Sequence, residues 1–194
     1  VDPSVDNMLK ITSDGRKLGL DQRIINPMLP DEPGTKVNQC VDNILQIWRD
    51  GQPEKLTQLV FCDISTPQAA ASKKVAKTLD NPTLHALEQA VPEPEKPPAF
   101  TVYEDIRQKL IAQGMPESQI AFIHEANTEV RKKELFSKVR SGQVRVLLGS
   151  TQKMGAGTNV QDLLVALHDL DCPWRPGDVG RILRTFKIKK NVEV

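Results

Sequence analysis

The 194-residue sequence predicts an α/β domain built on a parallel sheet with helices on both faces. Three observations predict it: short apolar runs at 58–62, 120–123, 144–148 and 163–167, amphipathic stretches between them, and polar turns where the runs end. Runs without polar alternation suit strands buried on both faces. Their alternation with helical periods suits βαβ crossovers, in which the loops at the carboxyl ends of the strands collect the chemistry.

Residues 1–36 are polar and punctuated by Asp14-Gly15, Asn26-Pro27, Leu29-Pro30 and Pro33-Gly34, which predicts an extended lead-in with a short helical possibility around Ser4 to Leu9. From residue 37 the domain proper begins. Val37, Val41, Ile44, Leu45 and Trp48 form one stripe of a helix that Gly51 can end. The run Gln58 to Cys62 reads as a strand entering the turn Asp63 to Thr66. Between Pro67 and Pro98 lie six of the 14 prolines, including a PEPEKPP stretch unsuited to a sheet interior, so 67–99 reads as a surface insertion. Val102, Ile106 and Leu110 predict a helix closed by Gly114, and a strand over 120–123 then ends at His124-Glu125. Asn127 or Thr128 can cap the next helix, whose buried face is Leu135, Phe136 and Val139 and whose end is Ser141-Gly142. The runs Val144 to Leu148 and Leu163 to Leu167 supply two more strands.

Bulk composition narrows the function classes. With 26 Lys plus Arg against 25 Asp plus Glu, any nucleic-acid site must be a local patch. The basic residues Arg131, Lys132, Lys133, Lys138, Arg140 and Arg145 could widen such a patch or simply solvate a helix face. Cys40, Cys62 and Cys172 are odd in number with no C-x-x-C pair, which disfavours a disulfide framework and a metal site and points to a reducing, cytoplasmic setting. No run approaches the roughly 18 to 20 apolar residues that span a bilayer, so no membrane association is expected.

The sharpest segment is VRVLLGSTQKMGAGTNV, residues 144–160. Ser150 and Thr151 with nearby backbone N–H groups can hold a phosphate, and Gly155 and Gly157 let the main chain approach a ligand closely. A plain glycine turn between two strands is the alternative for these residues taken alone.

The run from Ser150 to Val160 resembles motif V of superfamily 2 helicases, nearest to that of the Swi/Snf-like DNA translocases. The segment His168 to Asp178 resembles the strand and Asp-x-x-Trp-x-Pro turn that precede motif VI, and Gly180-Arg181-Ile182-Leu183-Arg184 resembles its G-R-x-x-R core. Gln58 to Thr66 matches motif IV in kind, and the helix over 36–48 fits the segment before it. The resemblance covers roughly 36–66 and 100–184 and implies a RecA-like, three-layer domain over 37–194, the C-terminal motor lobe of an ATP-dependent DNA helicase or translocase. It implies arginine-finger roles for Arg181 and Arg184, coupling roles for Gly155, Gly157 and Asn159, and phosphate contacts for Ser65, Thr66, His124, Ser150, Thr151 and Lys153. The partners it implies are duplex DNA and an N-terminal RecA-like ATPase lobe of the same parent protein.

Two departures qualify the expectation. Motif VI of the family reads Q-R-x-G-R-x-x-R, whereas Asp178-Val179 here runs directly into Gly180-Arg181. No G-x-x-x-x-G-K-[ST] loop and no acidic D-E-x-[DH] strand end occur, so ATP and Mg2+ are expected only in a two-lobe protein and not on this chain alone. A non-catalytic nucleic-acid-binding or protein-interaction module that keeps the lobe's shape is the alternative reading.

Overall fold

The computed structural model describes residues 7–67, 100–154 and 158–171. Four strands form one sheet in the order β2-β3-β1-β4, with every neighbouring pair parallel. The strands are β1 (Thr57–Phe61), β2 (Ile120–Phe122), β3 (Val146–Gly149) and β4 (Leu164–Asp169). The helices are α1 (Met8–Leu20), α2 (Lys36–Asp50), α3 (Val102–Ala112), α4 (Glu129–Arg140) and the single turn α5 (Thr151–Met154).

Alternate residues of β1, β2 and β3 divide between two cores, which makes the domain three layers deep, while Val165 and Ala166 of β4 form a smaller cluster with Ile47 and Leu56. Val60, Cys62, Ile120, Phe122, Val146 and Leu148 pack against α2 and α3 through Val37, Val41, Ile44, Tyr103, Ile106 and Leu110. Leu59, Phe61, Ala121, Ile123 and Leu147 pack on the opposite face with Val139 of α4 and Met154 of α5. The architecture is α/β with a parallel central sheet, consistent with a RecA-like three-layer fold. Among the described residues no helix is long and apolar enough to cross a membrane.

Local chemistry sets the helix limits. Thr35, Thr101 and Thr128 each accept an amide of the first turn of α2, α3 and α4, and Gly51 closes α2. At Gly142 the chain leaves α4 with φ of 71°, and a Cβ there would lie 2.6 Å from the Lys55 Cβ. Only glycine meets both demands without strain.

Two expectations change on contact with the structure. The lead-in is not extended throughout, because Met8–Leu20 is a helix that runs through Asp14-Gly15. Asn7 caps it by accepting the Lys10 amide at 2.9 Å, and Leu20 anchors its end in the core. Arg145 does not join a basic surface, because its side chain is 1 % exposed. Its guanidinium donates to the carbonyls of Leu56, Gly51 (3.0 Å) and Trp48 (3.4 Å), around the C-terminal end of α2. Unsatisfied carbonyls and the negative end of a helix together favour a cation there. Burial still pulls its pKa below the ordinary arginine value.

Candidate functional site

Because the strands are parallel, their carboxyl ends share one rim, and each contributes a polar tip. β1 leads to Asp63–Thr66, β2 to the turn Ile123–Glu125, β3 to Ser150-Thr151 and β4 to Asp169–Asp171. The tips are bonded to one another. The Asp171 carboxylate accepts the Asp63 amide at 2.9 and 2.7 Å and the Ile64 amide at 2.5 Å. Asp63 in turn accepts the Thr151 amide at 2.8 Å through Oδ1. A chain of carboxylate contacts therefore links the tips of β4, β1 and β3.

The expected site residues differ in what they offer. Ser65 and Ser150 are 9 % and 7 % exposed, and both hydroxyls accept backbone amides. Ser65 Oγ accepts the Val102 amide at 3.0 Å, and Ser150 Oγ accepts that of Lys153 at 3.4 Å. Thr66 and Thr151 are half-buried, and Lys153 and Asn159 are exposed. Arg140 donates to the Asn159 carbonyl at 2.8 Å, which ties this segment to the end of α4. Gly155, Gly157, Arg181 and Arg184 lie outside the described residues.

His124 packs edge-on against Tyr103, with ring centroids 5.3 Å apart, and its buried Nδ1 has no hydrogen-bond partner. Burial holds its pKa below the ordinary histidine value, the Lys153 charge adds to that, and Asp63 opposes it. Near neutral pH the ring is uncharged, so His124 serves as a neutral polar edge. Two cations stand at this part of the rim: the exposed Lys153, and Arg107, which donates to Glu125 of the same turn at 2.6 Å.

Sequence reasoning gave no role to the aspartates that organise the rim. Asp171 is buried, and its pKa is pushed up to about 6, chiefly by burial and further by the charges of Asp63 and Asp169, against the two amides it accepts. Asp169 is raised as well, by burial and then by Asp63. The available signal was the alternation His168-Asp169-Leu170-Asp171 at a strand end, where every second side chain shares a side. Tyr103 was also missed; its hydroxyl donates to the Cys62 carbonyl at 2.6 Å and supports the tip of β1 from α3.

Gly149 has a steric reason. A Cβ at this last residue of β3 would lie 2.5 Å from Ile123 Cγ2 and 2.7 Å from Met154 Sδ. The absence of a side chain lets the His124 turn and α5 close over the strand end. Among the described residues no group of three or more His, Cys, Asp or Glu side chains is placed to hold a metal ion. No protein-family model matches this sequence, and comparison with curated proteins gives no significant match.

Proposed function

We propose that this chain is the C-terminal motor lobe of an ATP-dependent DNA helicase or translocase, acting in the cytoplasm, with its carboxyl rim as a sequence-independent grip on a phosphate backbone. The observation that carries the reading is the common rim. The Ser150-Thr151 loop, Lys153, His124 and the turn after β1 emerge at the same ends of one parallel sheet. Thr151 and Lys153 supply the accessible phosphate contacts, which position a strand without reading bases.

In this reading the chain works opposite an N-terminal lobe that binds ATP and Mg2+. Arg181 and Arg184 face that nucleotide and stabilise the charge that builds up during phosphoryl transfer, while closure and release of the two lobes advance the grip. Asn159, held through its carbonyl by Arg140, serves as a coupling residue together with Gly155 and Gly157. The test is reconstitution with the upstream ATPase lobe. DNA-stimulated ATP turnover should appear and should fall by about 10³-fold or more in Arg184→Ala, the scale of an arginine finger. Turnover indifferent to that substitution removes Arg184 from the role.

A protein-interaction module is the competing reading, and one observation favours it. Met8, Leu9, Ile11 and Leu18 of α1 are all more than half exposed, as is Met28. Exposed apolar residues on one helix suit a protein contact better than a polyanion. Absence of DNA binding together with self-association or partner capture through α1 would decide for it.

A further inference from the structure

The amino-terminal rim of the sheet, opposite the ends that carry the candidate site, holds a cavity of about 500 Å³. It lies where the chain enters β1, β2 and β3, and its lining includes Lys55, Lys138 and Arg145 with Gln52, Gln119 and Gln143. No Asp or Glu is among the described residues that line it. Lys55 and Gly142 both have left-handed backbone, with φ of 54° and 71°. Their close approach sets the loop before β1 against the turn that ends α4, so Lys55 stands beside the turn that follows Lys138. A charged side chain therefore occupies a backbone conformation that glycine adopts with less strain.

Charge balance decides what the cavity can take. The helices α2 and α4 both end at this rim, and each helix end is equivalent to about half a negative charge, roughly one in total. Their last carbonyls are already occupied. Arg145 donates to those of Trp48 and Gly51, and the amides of Ser141 to Val144 close on the carbonyls of Ser137, Lys138 and Val139. Against these two ends stand three cations, none with a carboxylate partner among the described residues. Arg145 makes its hydrogen bonds through Nε and Nη2, and Nη1 takes part in none of them. A buried guanidinium with a spare donor, two exposed lysines and several side-chain amides form a donor set suited to a multiply charged oxyanion.

We propose that this cavity binds a small phosphorylated ligand through Lys55, Lys138 and Arg145, on the rim opposite the proposed DNA grip. The site does not rest on the DNA reading.

The experiment is a titration of the isotope-labelled whole chain with inorganic pyrophosphate at low salt, followed by amide NMR. The proteins compared are the unsubstituted chain, Lys55→Gly/Lys138→Gln, and Arg131→Gln/Lys133→Gln, which removes two charges from exposed positions outside the cavity. Each has its unfolding midpoint measured. Lys55→Gly suits the left-handed backbone, so that charge is removed without strain. Saturable shifts are expected at Gly142, at Gln143 and at the Trp48 indole N–H, which donates to Gln119. Lys55→Gly/Lys138→Gln should raise the dissociation constant about tenfold or more, as expected for two charges lost beside an anion near a protein surface, and Arg131→Gln/Lys133→Gln should change it little. Shifts that do not saturate, shifts centred elsewhere, or equal losses in the two double variants overturn the site. So does a folded Lys55→Gly/Lys138→Gln that binds as tightly as the unsubstituted chain. Duplex DNA that displaces pyrophosphate from these resonances would assign the cavity to a nucleic-acid backbone and overturn the small-ligand site, whereas pyrophosphate shifts retained beside DNA support it.

Discussion

His168 Nε2 lies 2.9 Å from Gln58 Oε1, joining β4 to β1 inside the sheet, and the Gln58 side-chain amide passes the connection on to the Ile44 carbonyl of α2 at 3.0 Å. The neutral imidazole donates through Nε2 to the Gln58 oxygen, so both polar groups of the buried Gln58 amide have a partner.

That pair gives the first prediction, on acid stability. Burial pushes the His168 pKa down to about 4 from an ordinary 6.5. A depressed base binds its proton less readily when folded, so its contribution is complete above pH 6.5 and is lost as pH falls towards 4, up to about 3 kcal/mol. Asp171 has the opposite sign: with its pKa pushed up to about 6 from 3.8, the folded state takes up the proton first and gains stability over much of the same window. The two slopes therefore oppose each other between pH 6.5 and 4. Urea unfolding at several pH values should show Asp171→Asn losing stability on acidification much more steeply than the unsubstituted chain. His168→Gln should lose less than the unsubstituted chain, or gain.

Arg145 gives the second. Arg145→Ala leaves the carbonyls of Leu56, Gly51 and Trp48 without their donor in a buried place, and should cost about 3 kcal/mol in unfolding free energy. Arg145→Lys keeps the charge but lacks the planar fork that reaches several carbonyls at once, and should still cost about 1 to 2 kcal/mol. Equal stability of Arg145→Ala and the unsubstituted chain would contradict the burial argument.

At Gly149 the prediction is overpacking. Gly149→Ala sets a methyl group against Ile123 and Met154 at 2.5 to 2.7 Å, and relief of that clash should cost about 1 to 3 kcal/mol. Because Ile123 adjoins His124 and Met154 closes α5, chemical shifts at His124 and Thr151 should move with it. Unchanged shifts would show that the rim does not depend on this contact.

Binding supplies the fourth. Affinity for duplex DNA should be independent of base sequence and fall steeply as salt rises from about 50 to 200 mM, as counterion release requires. Thr151→Ala/Lys153→Ala should weaken binding alike for all sequences and make the salt dependence shallower by about one unit of log-log slope, the share of one lost lysine contact. Binding that the pair leaves unchanged would move the grip elsewhere on the molecule.

Much of the fold was legible because strand burial and helix amphipathicity are local patterns. The stripe from Val37 to Trp48 became α2, and the apolar runs became strands with their polar tips on one rim. The helix α1 was obscured by Asp14-Gly15, a turn signal that a well-capped helix overrode. Arg145 was hidden for a different reason: its partners are main-chain carbonyls far away in sequence, which leave no mark on residue identity. The rim's carboxylate contacts were equally invisible, since a backbone amide looks the same at every position. Ser65 and Ser150 show the converse case, where a hydroxyl suited to a ligand accepts a backbone amide instead, that of the distant Val102 for Ser65 and of the nearby Lys153 for Ser150.

The hydrogen bond between Ser65 Oγ and the Val102 amide, with the Tyr103 hydroxyl on the Cys62 carbonyl beside it, brings the chain on the two sides of residues 68–99 together. Departure and re-entry points are thus stapled side by side before anything between them is specified. Because these bonds already hold the two ends together, a connection between them adds little loop-closure entropy for each added residue, whatever its length.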